Sequence, residues 1–305
     1  MARYTNLDGS TVDKGPADIL KWQTGRLLNK RRPSLSNYTT PRVENRGADL
    51  SQPHDSLTWI GHATFALKLG GKLIATDPIW SERIHTIRRQ TRPGIGFADM
   101  PPLDVVTISH SHFDHLDLPT LNRIGPKALY VVPKDVGEIL TAEGLPHVVE
   151  LAWFDSVRVG EVTITLVPAQ HWSMRSLWDK NQRLWGGFVF EHGETSLYHS
   201  GDTGFSESMF RAIQERFPNL GWAMLPIGAY DPEWFMKAQH MGPEDAADAF
   251  AILGAKRFVA MHWGTFSLTD EPIHEPPIRL KAAWEKRGLA EDRLHVPALG
   301  ETTWL

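Results

Sequence analysis

The stretch from Thr107 to Asp117, TISHSHFDHLD, constrains this chain more than any other, because it sets three imidazoles and two carboxylates within eight residues behind an apolar run. That run, Asp104-Val105-Val106-Thr107-Ile108, is β-branched and apolar, which predicts a buried strand feeding a loop at His110. In extended chain His110 and His112 project to the same side, so both can reach one ion. Asp114 and His115 point elsewhere once the chain turns, and a second ion fits there. A dry strand end carrying these groups for packing alone would have to solvate all of them. Imidazole with carboxylate and no thiolate suits a borderline divalent cation: zinc is the first expectation, manganese and iron(II) the alternatives.

Two ions need more ligands than one loop supplies, and the chain repeats the same design elsewhere. The alternating run Val162 to Val167 leads into Pro168-Ala169-Gln170-His171. Thr195 to His199 leads into Ser200-Gly201-Asp202-Thr203-Gly204, where the glycines let the backbone turn sharply beside a ligand. Arg257 to Met261 ends in His262. Any one of these would pass as an ordinary strand end; together they supply a partner set.

HxHxDH, a later lone His, a Gly-Asp and a final lone His, in that order, resemble the metallo-β-lactamase superfamily. The resemblance implies an α/β fold, the four-layered αββα sandwich. It also implies that His110, His112 and His171 hold one metal, that Asp114, His115 and His262 hold the other, and that Asp202 bridges both. Further blocks narrow it: WIGHAT from Trp59, TDP from Thr76, PAQHW from Pro168, LWG from Leu184, SGDTG from Ser200, PIGAY from Pro226, WFMKAQH from Trp234, HWGTF from His262 and EPP from Glu275. With these, residues 57 to 301 are similar to the branch of phospholipases D that hydrolyse N-acylphosphatidylethanolamine. The first fifty residues and the 80 to 100 loop depart from that pattern, so substrate identity rests on the rest. The implied reaction releases an N-acylethanolamine and leaves phosphatidate. Two alternatives stand beside it: a metal-dependent lactonase, as in the related ascorbate-6-phosphate lactonase branch, and a catalytically silent binding scaffold on the same fold.

With 305 residues, 41% hydrophobic and 22% charged, the chain is long enough for one large core. A net charge of −4 gives no pull toward nucleic acid. The absence of cysteine excludes disulfides and thiolate ligands. No apolar leader and no run of membrane-spanning length stand out, so the expectation is a cytoplasmic enzyme, peripheral to a membrane at most. Its oligomeric state is left open.

Residues 1 to 56 are polar and broken by Pro16, Pro33, Pro41 and Pro53, and read as an extension packed on a catalytic domain spanning 57 to 305. Within it, 17 to 30 predicts a helix with Ile19, Leu20, Trp22, Leu27 and Leu28 on one face and Lys21, Arg26, Lys30, Arg31 and Arg32 around it, a packed helix rather than a membrane-surface one. Strands are predicted over 57 to 69, 72 to 76, 104 to 109, 128 to 132, 157 to 167, 186 to 191, 195 to 199, 222 to 227 and 257 to 261. Helices are predicted over 134 to 143, 205 to 216, 243 to 253 and 277 to 287. The runs Phe65 to Asp77 and Phe188 to Asp202 echo each other as apolar hairpins with a Gly turn, ending in aspartate. A pseudo-twofold would make Asp77 the mirror of Asp202. Asp77 and Asp117 are assigned to orienting a ligand histidine, with simple turn chemistry the alternative for Asp77; His62 is expected near the metals or merely within a strand.

Two divalent ions sharing a water lower its pKa toward neutrality, and the resulting bridging hydroxide is the expected nucleophile. Asp202 and Asp114 are the catalytic candidates, Asp114 as a proton relay besides its ligand role. Specificity then falls to the walls. After His171, Trp172, Met174, Leu177, Trp178, Leu184 and Trp185 interleave with Ser173, Arg175, Asp179, Lys180, Asn181, Gln182 and Arg183, which suits an exposed greasy lid for acyl chains better than a core strand. Trp172, Leu177, Trp178 and Trp185, with Gln239 and His240, are the substrate-binding candidates, and phospholipid or another phosphodiester is the expected partner. Arg83, Arg88, Arg89 and Arg92 are a basic loop, either solvated or drawn to phosphate.

Overall fold

Short β-branched runs separated by glycine turns pair into two seven-stranded sheets in the computed structural model, which describes residues 3–28 and 38–305. The first half contributes β1 (Ser56–Gly61), β2 (Thr64–Leu69), β3 (Lys72–Thr76), a small separate hairpin of β4 (Arg83–Ile84) and β5 (Ile87–Arg88), then β6 (Val105–Thr107), β7 (Leu129–Pro133) and β8 (Val148–Leu151). The second contributes β9 (Ser156–Val159), β10 (Val162–Val167), β11 (Gly187–His192), β12 (Thr195–His199), β13 (Trp222–Pro226), β14 (Arg257–Met261) and β15 (Leu294–His295), followed by β16 (Thr302–Trp304). Helices are α1 (Pro16–Leu28), α2 (Leu118–Ile124), α3 (Gly137–Ala142), α4 (Glu207–Arg216), the single turn α5 (Glu233–Met236), α6 (Pro243–Leu253) and α7 (Glu275–Lys286).

The sheets run β16-β1-β2-β3-β6-β7-β8 and β9-β10-β11-β12-β13-β14-β15. In each, an antiparallel meander passes into three parallel strands: β1, β2 and β3 precede β6 to β8, and β10, β11 and β12 precede β13 to β15. The hairpins β2–β3 and β11–β12 therefore hold equivalent places, so the loops bearing Asp77 and Asp202 correspond, as the sequence echo suggested.

Alternation along the strands builds the layers. Val105 and Val131 face inward onto Ile164, Leu166 and Phe188 of the other sheet. Val106, Tyr130 and Val132 face outward and are covered by Leu121 of α2 and Leu140 of α3. On the far side Phe210 of α4, Phe250 of α6 and Trp284 of α7 close the second sheet. The order is helices, sheet, sheet, helices. The 80 to 100 segment, together with Leu50, covers the outer face of β1 to β3: Trp80 and Ile95 are buried against Ile60, Ala66 and Leu73, and Trp80 Nε1 donates to the Ile95 carbonyl at 2.9 Å.

Several expected boundaries shift for local reasons. The run 57 to 69 is two strands, broken at Gly61 by a register shift. The run 157 to 167 is a hairpin turning at Gly160. The helix expected over 134 to 143 begins only at Gly137, and α2, β8 and β16 were not foreseen: β8 is four residues at a sheet edge, and β16 forms only by pairing with the distant β1. α1 docks through Trp22, stacked on Phe235 at 4.9 Å and donating to Asp270 at 2.8 Å, with Arg26 paired to the same carboxylate at 2.9 Å. Leu20 (64% exposed) and Leu28 (84%) do not pack, contrary to the expected apolar face; Lys30, Arg31 and Arg32 lie outside the described residues. No helix among the described residues is long and apolar enough to cross a membrane.

Candidate metal centre

The donor-bearing loops all leave the same edge of the two sheets. β6 runs into His110, His112, Asp114 and His115, β10 into His171, β12 into Asp202, and β14 into His262, while β1 ends at His62 and β3 at Asp77. Gly201 places Asp202: its φ is +58°, and a Cβ there would come within 2.6 Å of the Ser109 Cβ and 2.9 Å of the Gly186 carbonyl oxygen. His62, Asp77 and His262 are also left-handed, at φ 57°, 38° and 61°. That conformation costs a non-glycine residue about 1–3 kcal/mol and persists where the surroundings impose it. Here His62 N–H donates to Thr265 Oγ1 at 2.8 Å and His262 N–H to the His62 carbonyl at 3.0 Å.

Two donor groups result. His110 Nε2 and His171 Nε2 lie 2.8 and 3.2 Å from His112 Nδ1, near the edge of about 3.3 Å that a tetrahedron with Zn–N of about 2.0 Å requires. Asp114, His115 and His262 form the second group with His62, whose Nε2 is 3.0 Å from Asp114 Oδ2. Asp202 lies between them, 4.0 and 3.9 Å from His110 and His171 Nε2, and 3.2 and 3.0 Å from His115 and His262 Nε2. His62, expected near the metals or in a strand, thus faces Asp114 directly.

The outer nitrogens are tied down so that the inner ones face the centre. Asp77 accepts from His115 Nδ1 at 2.7 Å and from the Ser109 N–H and hydroxyl, both at 2.6 Å; the Ser109 Oγ is in turn 2.9 Å from His110 Nδ1. His171 Nδ1 donates to the Gln239 carbonyl at 2.8 Å, and the His171 backbone N–H donates to Asn6 Oδ1 at 3.0 Å. Neither Ser109 nor Asn6 was foreseen. Ser109 stands inside the motif and was readable as its neighbour's partner, whereas nothing in the polar N-terminal segment marks Asn6. Replacing Asp77 with alanine is expected to lower metal affinity about 10- to 100-fold, the usual effect of losing such a support, with chelator competition as the measurement.

Burial keeps His110 and His171 well below the ordinary histidine value, His112 at about 4 and His62 at about 3, so these imidazoles are neutral donors. Burial alone would raise Asp114 and Asp202, yet the adjacent His115 holds both well below the usual carboxylate range. Burial also opposes charge on His115 and His262, but Asp202 and then Asp114 outweigh it, leaving His115 well above its ordinary value and His262 at about 9. Two buried carboxylates therefore draw positive charge onto neighbouring imidazoles. His115 Nε2, His262 Nε2 and the Asp202 carboxylate face one another across the centre, 3.2 and 3.0 Å apart where imidazole meets carboxylate. Converging imidazole nitrogens and fixed carboxylates, with the protons on His115 and His262 exchangeable for a cation, are the donor set a divalent metal fits.

Other assignments change. Asp117 touches no ligand histidine: its carboxylate accepts from Ser81 Oγ at 2.9 and 2.7 Å and from Thr120 Oγ1 at 2.5 Å, because the chain turns into α2 there. Trp185 is core, 1% exposed, with Nε1 donating to the Ala169 carbonyl at 2.9 Å. Its truncation to alanine is expected to cost about 3–5 kcal/mol in denaturant melts rather than act selectively on long-chain substrates. Trp178 is 82% exposed and does not line the cleft. Arg89 is buried, donating to the carbonyls of Ile79 and Ser81 and stacked on Phe266, and so is not available to a phosphate surface. Arg175, read as part of an exposed loop, clamps the motif by donating to the carbonyls of Ser111 and Leu116.

A cavity of about 600 Å³ opens onto the centre. His112, Asp114 and Asp202 form its floor; Trp172, Met174, Leu177, Phe235, Met236 and Leu268, with Ile19 and Trp22 of α1, make its walls mostly apolar, and Gln239 and His240 enter it beside Asp202.

A family model described as the beta-lactamase superfamily domain matches residues 73–263. Over 307 residues the chain is 36% identical to an N-acyl-phosphatidylethanolamine-hydrolyzing phospholipase D 1 of Caenorhabditis elegans, covering 93% of this chain and 85% of that protein. Over 257 residues it is 37% identical to the mitochondrial N-acyl-phosphatidylethanolamine-hydrolyzing phospholipase D of Saccharomyces cerevisiae, covering 80% of this chain but only 55% of the yeast protein. Among solved structures, a metallo hydrolase of the archaeon Ignicoccus hospitalis superposes with a TM-score of 0.63 at 26% identity, over 82% of this chain and 98% of that one.

Proposed function

Because this chain belongs to the metallo-β-lactamase superfamily, in the branch of N-acylphosphatidylethanolamine-hydrolysing phospholipases D, and is a metal-dependent hydrolase, we propose that it is a dinuclear phosphodiesterase of phospholipase D type. Its substrate on this reading is N-acylphosphatidylethanolamine or a related phosphodiester, cleaved to phosphatidate and an N-acylethanolamine. The observation that carries it is the cavity: a mostly apolar chamber whose floor is His112, Asp114 and Asp202 suits acyl chains attached to a charged, scissile group.

His110, His112 and His171 would hold one ion, Asp114, His115 and His262 the other, and Asp202 both; zinc suits these donors, as do manganese and iron(II). Bound there, such ions lower the pKa of a shared water toward neutrality and offset charge growing on the phosphodiester oxygens. The protein's own part is to keep that chemistry oriented and dry. Asp77, Ser109 and the Gln239 carbonyl fix the imidazoles, Arg175 pins the motif loop, and Trp172 and Met236 give the chamber apolar walls. Asp114, 3.0 Å from His62 Nε2, is our candidate for relaying a proton besides its role as a ligand.

The segments forming the cavity mouth also bear exposed Leu20, Leu177, Trp178 and Trp234, with Lys21 over the Trp234 ring at 4.4 Å. Exposed aromatic and aliphatic groups beside lysine are the pattern of an interfacial contact, so we read the enzyme as acting at a lipid surface.

The test is a substrate panel on metal-loaded protein: N-acylphosphatidylethanolamine, bis(p-nitrophenyl) phosphate, simple lactones and a β-lactam, each with a chelator control. Chelator-sensitive phosphodiester turnover well above lactone turnover is the expected result. The reverse order would transfer the protein to the lactonases, and absence of metal-dependent turnover would make it a scaffold.

A further inference from the structure

Gln239 is 5% exposed in the cavity wall, and its side-chain amide is poorly provided for. Its Oε1 has no hydrogen-bond partner among the described residues, and its Nε2 meets only the thioether sulfur of Met236, at 3.8 Å. Turning the amide over exchanges these roles without supplying what is missing. Buried amides are ordinarily satisfied, because a polar group withdrawn from water keeps its desolvation cost until a partner is found. Flexibility does not excuse this one, since the backbone beneath it is pinned: Gln239 N–H donates to the Met236 carbonyl at 2.9 Å, and the Gln239 carbonyl holds His171 Nδ1 at 2.8 Å.

An acceptor with no donor beside a donor with only a weak acceptor is the complement of a secondary amide. The N–H of such a group can donate to Oε1, and its carbonyl can accept from Nε2. We infer that Gln239 is an amide-reading subsite, which recognises the N-acyl amide of the substrate and so selects acylated over free amine headgroups. The inference rests on the phosphodiesterase reading for its natural substrate, in which the amide nitrogen stands two carbons from the ester oxygen on phosphorus. Gln239 is correspondingly close to the floor, being bonded to one donor histidine and followed by His240, whose Nδ1 is 3.9 Å from Asp202 Oδ2. A free headgroup ammonium gains less here, because it would shed its hydration against apolar walls. Sites built to hydrogen-bond a substrate group discriminate strongly against analogues lacking it, since their own polar atoms are then left unpaired.

The test compares N-dodecanoylethanolamine with its ester isostere, 2-hydroxyethyl dodecanoate, by calorimetric titration into the protein, which requires no turnover. The amide should bind at least tenfold more tightly than the ester to the wild type. Gln239→Met, similar in length and apolar, should bring the two within twofold by weakening the amide and not the ester, with metal content measured alongside to show that the centre is intact. Equal binding of amide and ester by the wild type would overturn the subsite, as would Gln239→Met weakening both ligands equally. If that variant does not fold, the wild-type ratio decides alone, with Gln239→Glu, which keeps only acceptors, expected to bind the amide less tightly than the wild type. Amide-selective binding without turnover of any phosphodiester would uphold the subsite and reject the proposed reaction; phosphodiester turnover without amide selectivity would do the opposite.

Discussion

Asp202→Ala is expected to empty both metal positions and reduce turnover to background, whereas His262→Ala should chiefly weaken one. Asp202 lies within 4.0 Å of imidazole nitrogens from both donor groups, which makes it a carboxylate shared between them. Its loss should exceed the roughly 10- to 100-fold drop in affinity that follows loss of an outer support. Removing it also takes away the carboxylate that most favours charge on His115 and His262, leaving Asp114, and for His115 Asp77 as well, as their remaining acidic neighbours. Elemental analysis after gel filtration, at graded zinc or manganese, reads the outcome. A variant that retains one ion at full occupancy would show that Asp202 serves one position only. A wild type that never exceeds one ion per chain would reject the dinuclear reading.

The second large effect concerns the walls. Met174→Ser with Leu177→Ser is expected to lower kcat/KM for a long-chain N-acyl phospholipid in detergent micelles by more than tenfold. A small soluble phosphodiester should be hydrolysed within twofold of the wild-type rate. Both side chains line the cavity, and each substrate methylene removed from water contributes about 0.8 kcal/mol, so losing contact with two suffices. Trp178→Ser separates cleft from surface: it lies outside the cleft on the proposed lipid-facing side, and should lower turnover of micellar lipid without affecting a short-chain monomeric substrate. Equal losses on both substrates would mean that Met174 and Leu177 support the centre rather than the acyl chain.

What could be read from the sequence depended on how far each partner lay along the chain. His110, His112, Asp114, His115, His171, Asp202 and His262 each follow an apolar run, and a metal-type residue at a strand end is conspicuous. The correspondence of Asp77 with Asp202 was visible because hairpin, glycine turn and aspartate all repeat. Asp117 misled because it continues the motif in sequence while the chain has already turned into α2, where Ser81 and Thr120 claim its carboxylate. Trp185 misled because the residues before it alternate polar and apolar like a surface loop, although Leu184 and Trp185 already lead into β11 and are buried. Asn6 was out of reach, since its contact with His171 spans 165 positions and depends on where the N-terminal segment is laid.

The near-equivalence of the two sheets carries a consequence for durability. Neither half owns a complete ligand set: the first sheet's loops bring His110, His112, Asp114 and His115, and the second's bring His171, Asp202 and His262. An ion held there acts as a rivet across the seam, and parting the sheets must first release it. By mass action, an ion present at a hundredfold its dissociation constant adds about 2.7 kcal/mol to the folded state. Prolonged chelation should therefore lower the melting temperature as well as the activity, and cleavage by added protease should begin at the loops that cross from one sheet to the other.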